Sequence, residues 1–281
     1  SAYGISTWHQ ADITLEWLTE FAGEPCCIVH CAGSSSVGFS LTNPLDDFNR
    51  SVLTTIAVLD YVRLAAPQTV VVLPSSAAVY GSAKVLPNVE TAHLHGKKIA
   101  VHAHGTAGIN LALAAGADSI EHGTVPDDET FRLFKQSGAY YVPTLSTING
   151  YRERLAKDPN AYPPAVLEKV MWRLDITGKA LERAVPAGVK IAFGTDAGVS
   201  KHGRNADEFE LMVEHGMTPA TAIVAATVSA ADLLGLKDQV GALRPGMAAD
   251  IIAVDADPLV DVKVLKDVKF VMKGGEVIRR D

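Results

Sequence analysis

Four residues of the second half of this chain sit where metal chemistry could be built. His102 and His104 lie two apart in Lys-Ile-Ala-Val-His-Ala-His, and residues at i and i+2 of a strand share a face, so both imidazoles can point the same way. His122 closes Ser-Ile-Glu-His-Gly, and Asp196 closes Lys-Ile-Ala-Phe-Gly-Thr-Asp. Each sits at the end of a short apolar run. The first two runs are one strand-plus-helix apart, and His122 to Asp196 spans two such units. In a βα barrel the C-terminal ends of the strands meet on one rim, so these side chains can converge there. Imidazoles and a carboxylate suit Zn²⁺ or a similar divalent ion, although a single strand-end histidine is more often a structural one.

The elements that must position these groups alternate between strand and helix. Strands are predicted over 98–103, 119–123, 140–145 and 190–194, with helices near 107–115, 127–137, 163–185 and 206–215. A further helix over 218–235 opens on Thr218-Pro219, an N-cap followed by proline at the first helical position. The first 87 residues follow the same rhythm. Strands are expected at 4–9, 26–32 and 69–74, and helices near 14–22 and 46–66, the latter with Leu53, Ile56, Ala57, Leu59 and Val62 as its apolar face. Residues 240–281 change to short strands and turns, read as a small β-layer appended to an α/β body.

Two resemblances follow from the motifs. Val101-His102-Ala103-His104-Gly105, Ser119-Ile120-Glu121-His122-Gly123-Thr124, Pro143-Thr144-Leu145 and Phe193-Gly194-Thr195-Asp196-Ala197-Gly198 resemble the later barrel strands of the amidohydrolase superfamily, in its Xaa-Pro dipeptidase and imidazolonepropionase-like branch. Leu243-Arg244-Pro245-Gly246-Met247-Ala248-Ala249-Asp250 is similar to the segment that re-enters that family's β-sandwich. The resemblance covers about residues 89–281. It implies metal ligands at His102 and His122, and a carboxylate at Asp196 that binds metal and takes a proton from the attacking water. It further implies His202 near the substrate, with His104 in a less defined supporting place. The family's opening His-x-His and its bridging lysine have no counterpart in this chain, and Trp8-His9-Gln10 offers one histidine only. The resemblance therefore implies an incomplete ligand set.

The second resemblance lies upstream. His30-Cys31-Ala32-Gly33 and Leu73-Pro74-Ser75-Ser76-Ala77-Ala78-Val79-Tyr80-Gly81 resemble extended short-chain dehydrogenase/reductases of the sugar-nucleotide epimerase and dehydratase group, over about residues 5–87. That implies vestigial cofactor contacts at Gly33 and Ser76. The glycine-rich turn that brings helix amides to a pyrophosphate is absent, so NAD is not expected as a cofactor. Tyr80 and Lys84 have the spacing of that family's catalytic pair, but follow Ser76 too closely to be it.

Together these readings predict an α/β chain in three parts: a Rossmann-type fragment over 1–87, an amidohydrolase half-barrel over 88–238 and sandwich strands over 239–281. The expected architecture is a hybrid, barrel-like (TIM-type) sheet that the two fragments share. The leading functional expectation is a chimeric scaffold with an incomplete metal site and little activity. The alternatives are a metal-dependent hydrolase of amide or peptide bonds and a nucleotide-binding module. A net charge of −7 argues against nucleic acid as a partner, and no apolar run reaches the ~18 residues of a membrane span. The absence of a basic, apolar leader points to a cytoplasmic protein. Cys26, Cys27 and Cys31 fit neither a zinc spacing nor a disulfide framework and read as buried, reduced thiols. The expected partner is a small-molecule or peptide substrate. An exposed edge of the C-terminal β-layer predicts self-association.

Overall fold

The computed structural model describes Thr7 and residues 9–31, 43–72 and 86–281. The chain divides into two compact units, Ser1–Gly81 and Ser82–Asp281. Gly33, Ser76, Tyr80 and Lys84 lie outside the described residues, as do most of the strand expected at 4–9 and residues 82–85.

In the first unit Thr14 caps the helix Leu15–Phe21, its Oγ1 accepting from Trp17 N at 3.2 Å. Strands β1 (Cys27–Val29) and β2 (Val70–Val72) pair in parallel. Between them Pro44–Phe48 runs through a π-helical turn, Asn49–Leu53, into Thr54–Ala65. The core is Leu18, Ala57, Val58, Tyr61 and Ala66, with Ile28 and Val71 against it. This corrects two expectations. The helix buries Ala57, Val58 and Tyr61 and leaves Leu53, Ile56 and Leu59 about half exposed. The helix is apolar nearly all round, so periodicity could not select the covered face. The cysteines are free but exposed, because alternation along β1 turns Ile28 to the helices and Cys27 away from them. His30 is buried and structural, with its Nε2 at 3.1 Å from Thr55 Oγ1.

In the second unit four parallel strands lie in chain order: β3 (Ala100–Ala103), β4 (Ser119–His122), β5 (Tyr140–Val142) and β6 (Lys190–Ile191). Ala100 pairs with Ser119, Ser119 with Tyr140 and Tyr140 with Lys190. Strands added in one direction by βα steps place all their C-terminal ends along one edge. Ile109, Ile120, Leu181 and Met212 are fully buried here, and each contributes about 1.5–3 kcal/mol by leaving water. Among the described residues every strand pairs within its own unit, so the expected hybrid sheet does not form: β1 and β2 make a two-stranded sheet and β3–β6 a separate four-stranded one. The tail forms β7 (Ile251–Ala253), β8 (Phe270–Lys273) and β9 (Glu276–Arg280), an antiparallel sheet in the order β7-β8-β9. Its outer strand β9 is exposed along its whole length.

The helices differ from expectation in two places. The span 163–185 is two helices, Pro164–Ile176 and Lys179–Ala184, broken at Gly178, whose φ of 87° favours glycine and where any side chain would run into the His215 ring. The helix Thr147–Lys157 was not expected, since β-branched and glycine residues at its start hide it.

One buried acid organises the segment after β5. Glu208, on the helix Asp207–Glu214, is fully buried, and its carboxylate accepts from Leu145 N at 2.8 Å and Ser146 N at 2.6 Å. Burial raises its pKa to about 7, against the two amides and the Arg173 charge, which favour the ionised form. The unfolded chain releases this proton near the ordinary glutamate value of 4.5. Between those values the folded state holds a proton that the unfolded state lacks, so this group makes stability fall as pH rises from about 4.5 to 7. Glu208→Gln removes that dependence and leaves one of the two amides facing an NH₂ group. We expect it to destabilise the fold by roughly 1–3 kcal/mol, read as a lower urea midpoint together with a flatter stability profile across pH 4.5–7.

Candidate metal centre

Strand register sets the site. His102 pairs with Glu121, and Ala103 pairs with His122. Strict alternation would send His122 to the face opposite His102. Instead His122 takes φ +71°, which breaks the alternation and brings its ring to 4.3 Å from that of His102, centroid to centroid. His104 follows β3, with its ring 4.8 Å from each of the other two. The three histidines each offer a ligand atom, and these atoms lie within 4.8 Å of one another. His122 is buried, whereas His102 opens toward solvent.

The next strand fixes the tautomer of His122. Thr144 Oγ1 donates to Pro143 O at 2.8 Å and lies 2.6 Å from His122 Nδ1. When its one proton stays on Pro143 O, it accepts from Nδ1–H. That leaves Nε2 of His122 as a bare lone pair, the state a metal ligand needs. His104 Nδ1 lies 2.7 Å from Thr124 Oγ1, which also accepts from Arg173 Nη1 at 2.6 Å. When Thr124 accepts from His104 as well, Nε2 of His104 is a ligand atom. When it gives its proton to Nδ1, His104 is a donor instead. Each of these two rings offers Nε2 as a ligand atom when its threonine accepts.

Three strand ends carry left-handed, non-glycine backbone: His122 (φ 71°), Thr144 (φ 50°) and Asp196 (φ 50°). Each such residue costs about 1–3 kcal/mol and persists only where its surroundings hold it. Gly123 has φ +45° and lies against Tyr141, where a Cβ would come within 2.7 Å of the ring. Asp196 is near enough to His102 for each charge to act on the other. Burial raises its carboxyl pKa, against the pull of His102 and Arg173. Burial also raises Glu121, which accepts from Ser119 Oγ at 2.6 Å and feels Asp196. Burial lowers His122 to about 3 and His104 to about 4, reinforced by the neighbouring imidazoles and Arg173, and lowers His102 as well. All three rings are neutral at physiological pH. A set of three neutral imidazoles with ligand atoms this close fits a divalent ion such as Zn²⁺.

The structure thus brings together His102, His104 and His122, with Asp196 near enough to His102 for their charges to interact. It places His202 on an exposed turn over 201–204, with no described contact to the cluster. Sequence reasoning missed Thr124, Thr144, Arg173 and Glu208. The signal for Arg173 was its place on the buried stripe Val170, Arg173, Thr177 of an otherwise amphipathic helix. Thr144 and Glu208 gave none, because their roles depend on contacts far along the chain.

Comparison with known proteins extends this picture. The Amidohydrolase family pattern matches residues 45–278, and so takes in much of the stretch that resembles short-chain dehydrogenases. No finding supports that dehydrogenase-like segment or a chimeric origin. The ochratoxinase of Aspergillus niger is 38 % identical over 196 residues, which cover 68 % of this chain and 40 % of that protein. A crystal structure of a Xaa-Pro dipeptidase with bound methionine in the active site shares 43 % identity at a TM-score of 0.65, over 68 % of this chain and 47 % of that one. A prolidase complexed with N-methylphosphonate-L-proline matches at 26 % identity and a TM-score of 0.67, over 80 % of this chain and 58 % of that one. The chain therefore spans less than half the length of the first two. From the family pattern and the strand-end motifs alike, this chain belongs to the amidohydrolase family.

Proposed function

We propose that this chain carries part of the active face of a metal-dependent hydrolase that cleaves C–N bonds in small amide or peptide substrates. The observation that carries the reading is the His102–His122 pair, with the His122 tautomer fixed by Thr144 and His104 beside it. Bound there, a divalent ion such as Zn²⁺ would lower the pKa of a water and polarise a carbonyl. The protein's own groups do the rest. Thr144 orients the His122 ring and keeps its proton on Nδ1. Asp196, held at a strand end facing His102, is the carboxylate placed to take and return a proton at its Oδ atoms. His202 is retained only as a contact to substrate reaching beyond the strand ends.

The competing expectation, an incomplete site with little activity in a chimeric scaffold, has no support from the family match. Nothing favours a nucleotide-binding role for residues 1–87. The bound molecule is proposed as a small amide or peptide, because the relatives include an ochratoxinase, a dipeptidase and a prolidase. No helix among the described residues is long and apolar enough to cross a membrane.

Two measurements test this reading. Purified chain titrated with Zn²⁺ should bind about one equivalent, and His122→Ala should abolish it; binding unchanged in that variant removes the metal centre from β4. Thr144→Val removes the acceptor for His122 Nδ1–H, and metal affinity should fall 10–100-fold with the fold retained by circular dichroism. We also propose self-association through the β7 or β9 edge of the tail sheet, since both strands lie at its margins. Size-exclusion chromatography with light scattering should show concentration-dependent dimer, and a clean monomer at high concentration sinks that proposal.

A further inference from the structure

We infer that a cavity between the helices Thr147–Lys157 and Asp207–Glu214 is a binding site for a small zwitterion, an α-amino acid whose carboxylate is taken by Arg152 and whose ammonium is taken by Glu214. This site lies outside the histidine cluster and does not rest on the hydrolase reading.

Each helix turns one face to the cavity. Asn149 and Arg152 are three apart on the first, and Asp207, Glu210, Leu211 and Glu214 follow the i, i+3, i+4, i+7 rows of the second. Arg204 and Lys266 complete the lining of a space of about 170 Å³. Sites for drug-sized molecules run from about 300 to 1,000 Å³, so this one admits a small ligand only. Leu211 apart, its lining is polar or charged, and the ligand must be polar too.

Most of that charge is already spent. Asp207 is buried, accepts from Asn149 Nδ2 at 3.2 Å, and pairs with Arg204 at 2.6 Å and Lys266 at 3.0 Å. Glu210 pairs with Lys266 at 2.5 Å and Lys263 at 3.1 Å, and Arg204 also pairs with Glu153. Two groups are left over. Arg152 and Glu214 make no hydrogen bond or ion pair among the described residues, and no nitrogen–oxygen distance between them is as short as 4.0 Å. A lone exposed arginine or glutamate is ordinary. Two of opposite sign, lining one cavity from two helices and too far apart to join, are what a bridging zwitterion requires.

The balance of charge selects the ligand class. Arg152, Arg204 and Lys266 are matched by Asp207, Glu210 and Glu214. A simple anion meets three carboxylates there, and a simple cation meets three cationic groups, whereas a molecule with both charges can set each against its opposite. The planar fork of Arg152 takes a carboxylate bidentately. Glu214 stands in the last turn of its helix, where the macrodipole disfavours an anion, and an ammonium beside it offsets that cost. A bound amino acid also joins Thr147–Lys157 to the helix that carries Glu208, and so braces the element holding the Leu145 and Ser146 amides.

The test uses three probes of similar size, L-alanine, propionate and ethylammonium, titrated calorimetrically into the chain after chelation of metal, so that no ion can hold the amino acid. L-Alanine should bind at one site, and each singly charged probe should bind roughly tenfold more weakly or worse. Arg152→Gln should bring L-alanine down to the affinity of ethylammonium, and Glu214→Gln down to that of propionate. Both side chains are exposed, so both variants should keep the wild-type circular dichroism. L-Alanine should raise the thermal midpoint of the wild type and of neither variant. No binding of L-alanine at about 10 mM, equal affinities for the three probes, or an L-alanine preference surviving in either variant overturns the inference. His122→Ala should leave L-alanine binding unchanged; its loss in that variant, with the fold retained, places the amino acid at the histidine cluster and defeats this cavity as the site.

Discussion

The hydrogen bond between His122 Nδ1 and Thr144 Oγ1 is the contact on which the rest of the site depends. It joins the ends of β4 and β5 and sets which imidazole nitrogen carries the proton. Without it the His122 ring would be free to rotate and to present its N–H to the cluster, and the burial that keeps it neutral would not make it a ligand. The Thr144 hydroxyl has one proton, and while Pro143 O takes it the oxygen accepts from the imidazole. A threonine at this position then acts as an acceptor, and an aliphatic residue of the same shape could not replace it.

Charge around the cluster is arranged in two layers. The imidazoles are kept neutral chiefly by burial, and Arg173 works in the same direction. Asp196, whose charge interacts with His102, and Glu121, which feels Asp196, are carboxylates whose ionised forms burial disfavours. A divalent cation would relieve that cost for both acids, while Arg173 opposes it. Behind this layer Glu208 spends its charge on backbone amides and is not free to quench the guanidinium.

Much of this was legible in the sequence, for identifiable reasons. His102, His122 and Asp196 stand at ends of short apolar runs, and strand-end position is a local property that periodicity reports. The four parallel strands and the antiparallel tail were readable for the same reason. The first unit was not. Its long helix is apolar on several faces, so pattern could not tell the covered stripe, and two parallel strands with a helix between them look alike in many α/β folds. The dehydrogenase resemblance of residues 5–87 rests on motifs around Gly33 and Ser76, which lie outside the described residues. Thr124 and Thr144 were invisible because their importance lies in partners 20 to 49 residues away.

The backbone at the strand ends explains why the site needs this much support. Histidine and aspartate tolerate the left-handed region better than most residues, but a β-branched threonine at φ +50° is a genuine outlier. Thr144 must be held there by something other than its own preference. Glu208 supplies that hold, accepting from the two amides that immediately follow, and the helix Asp207–Glu214 anchors Glu208 in turn. The chain of dependence runs from a buried carboxylate, through a strained turn, to a hydroxyl and then to one imidazole nitrogen. Each link trades local stability for fixed direction, which is what a ligand atom requires and what a merely structural histidine does not.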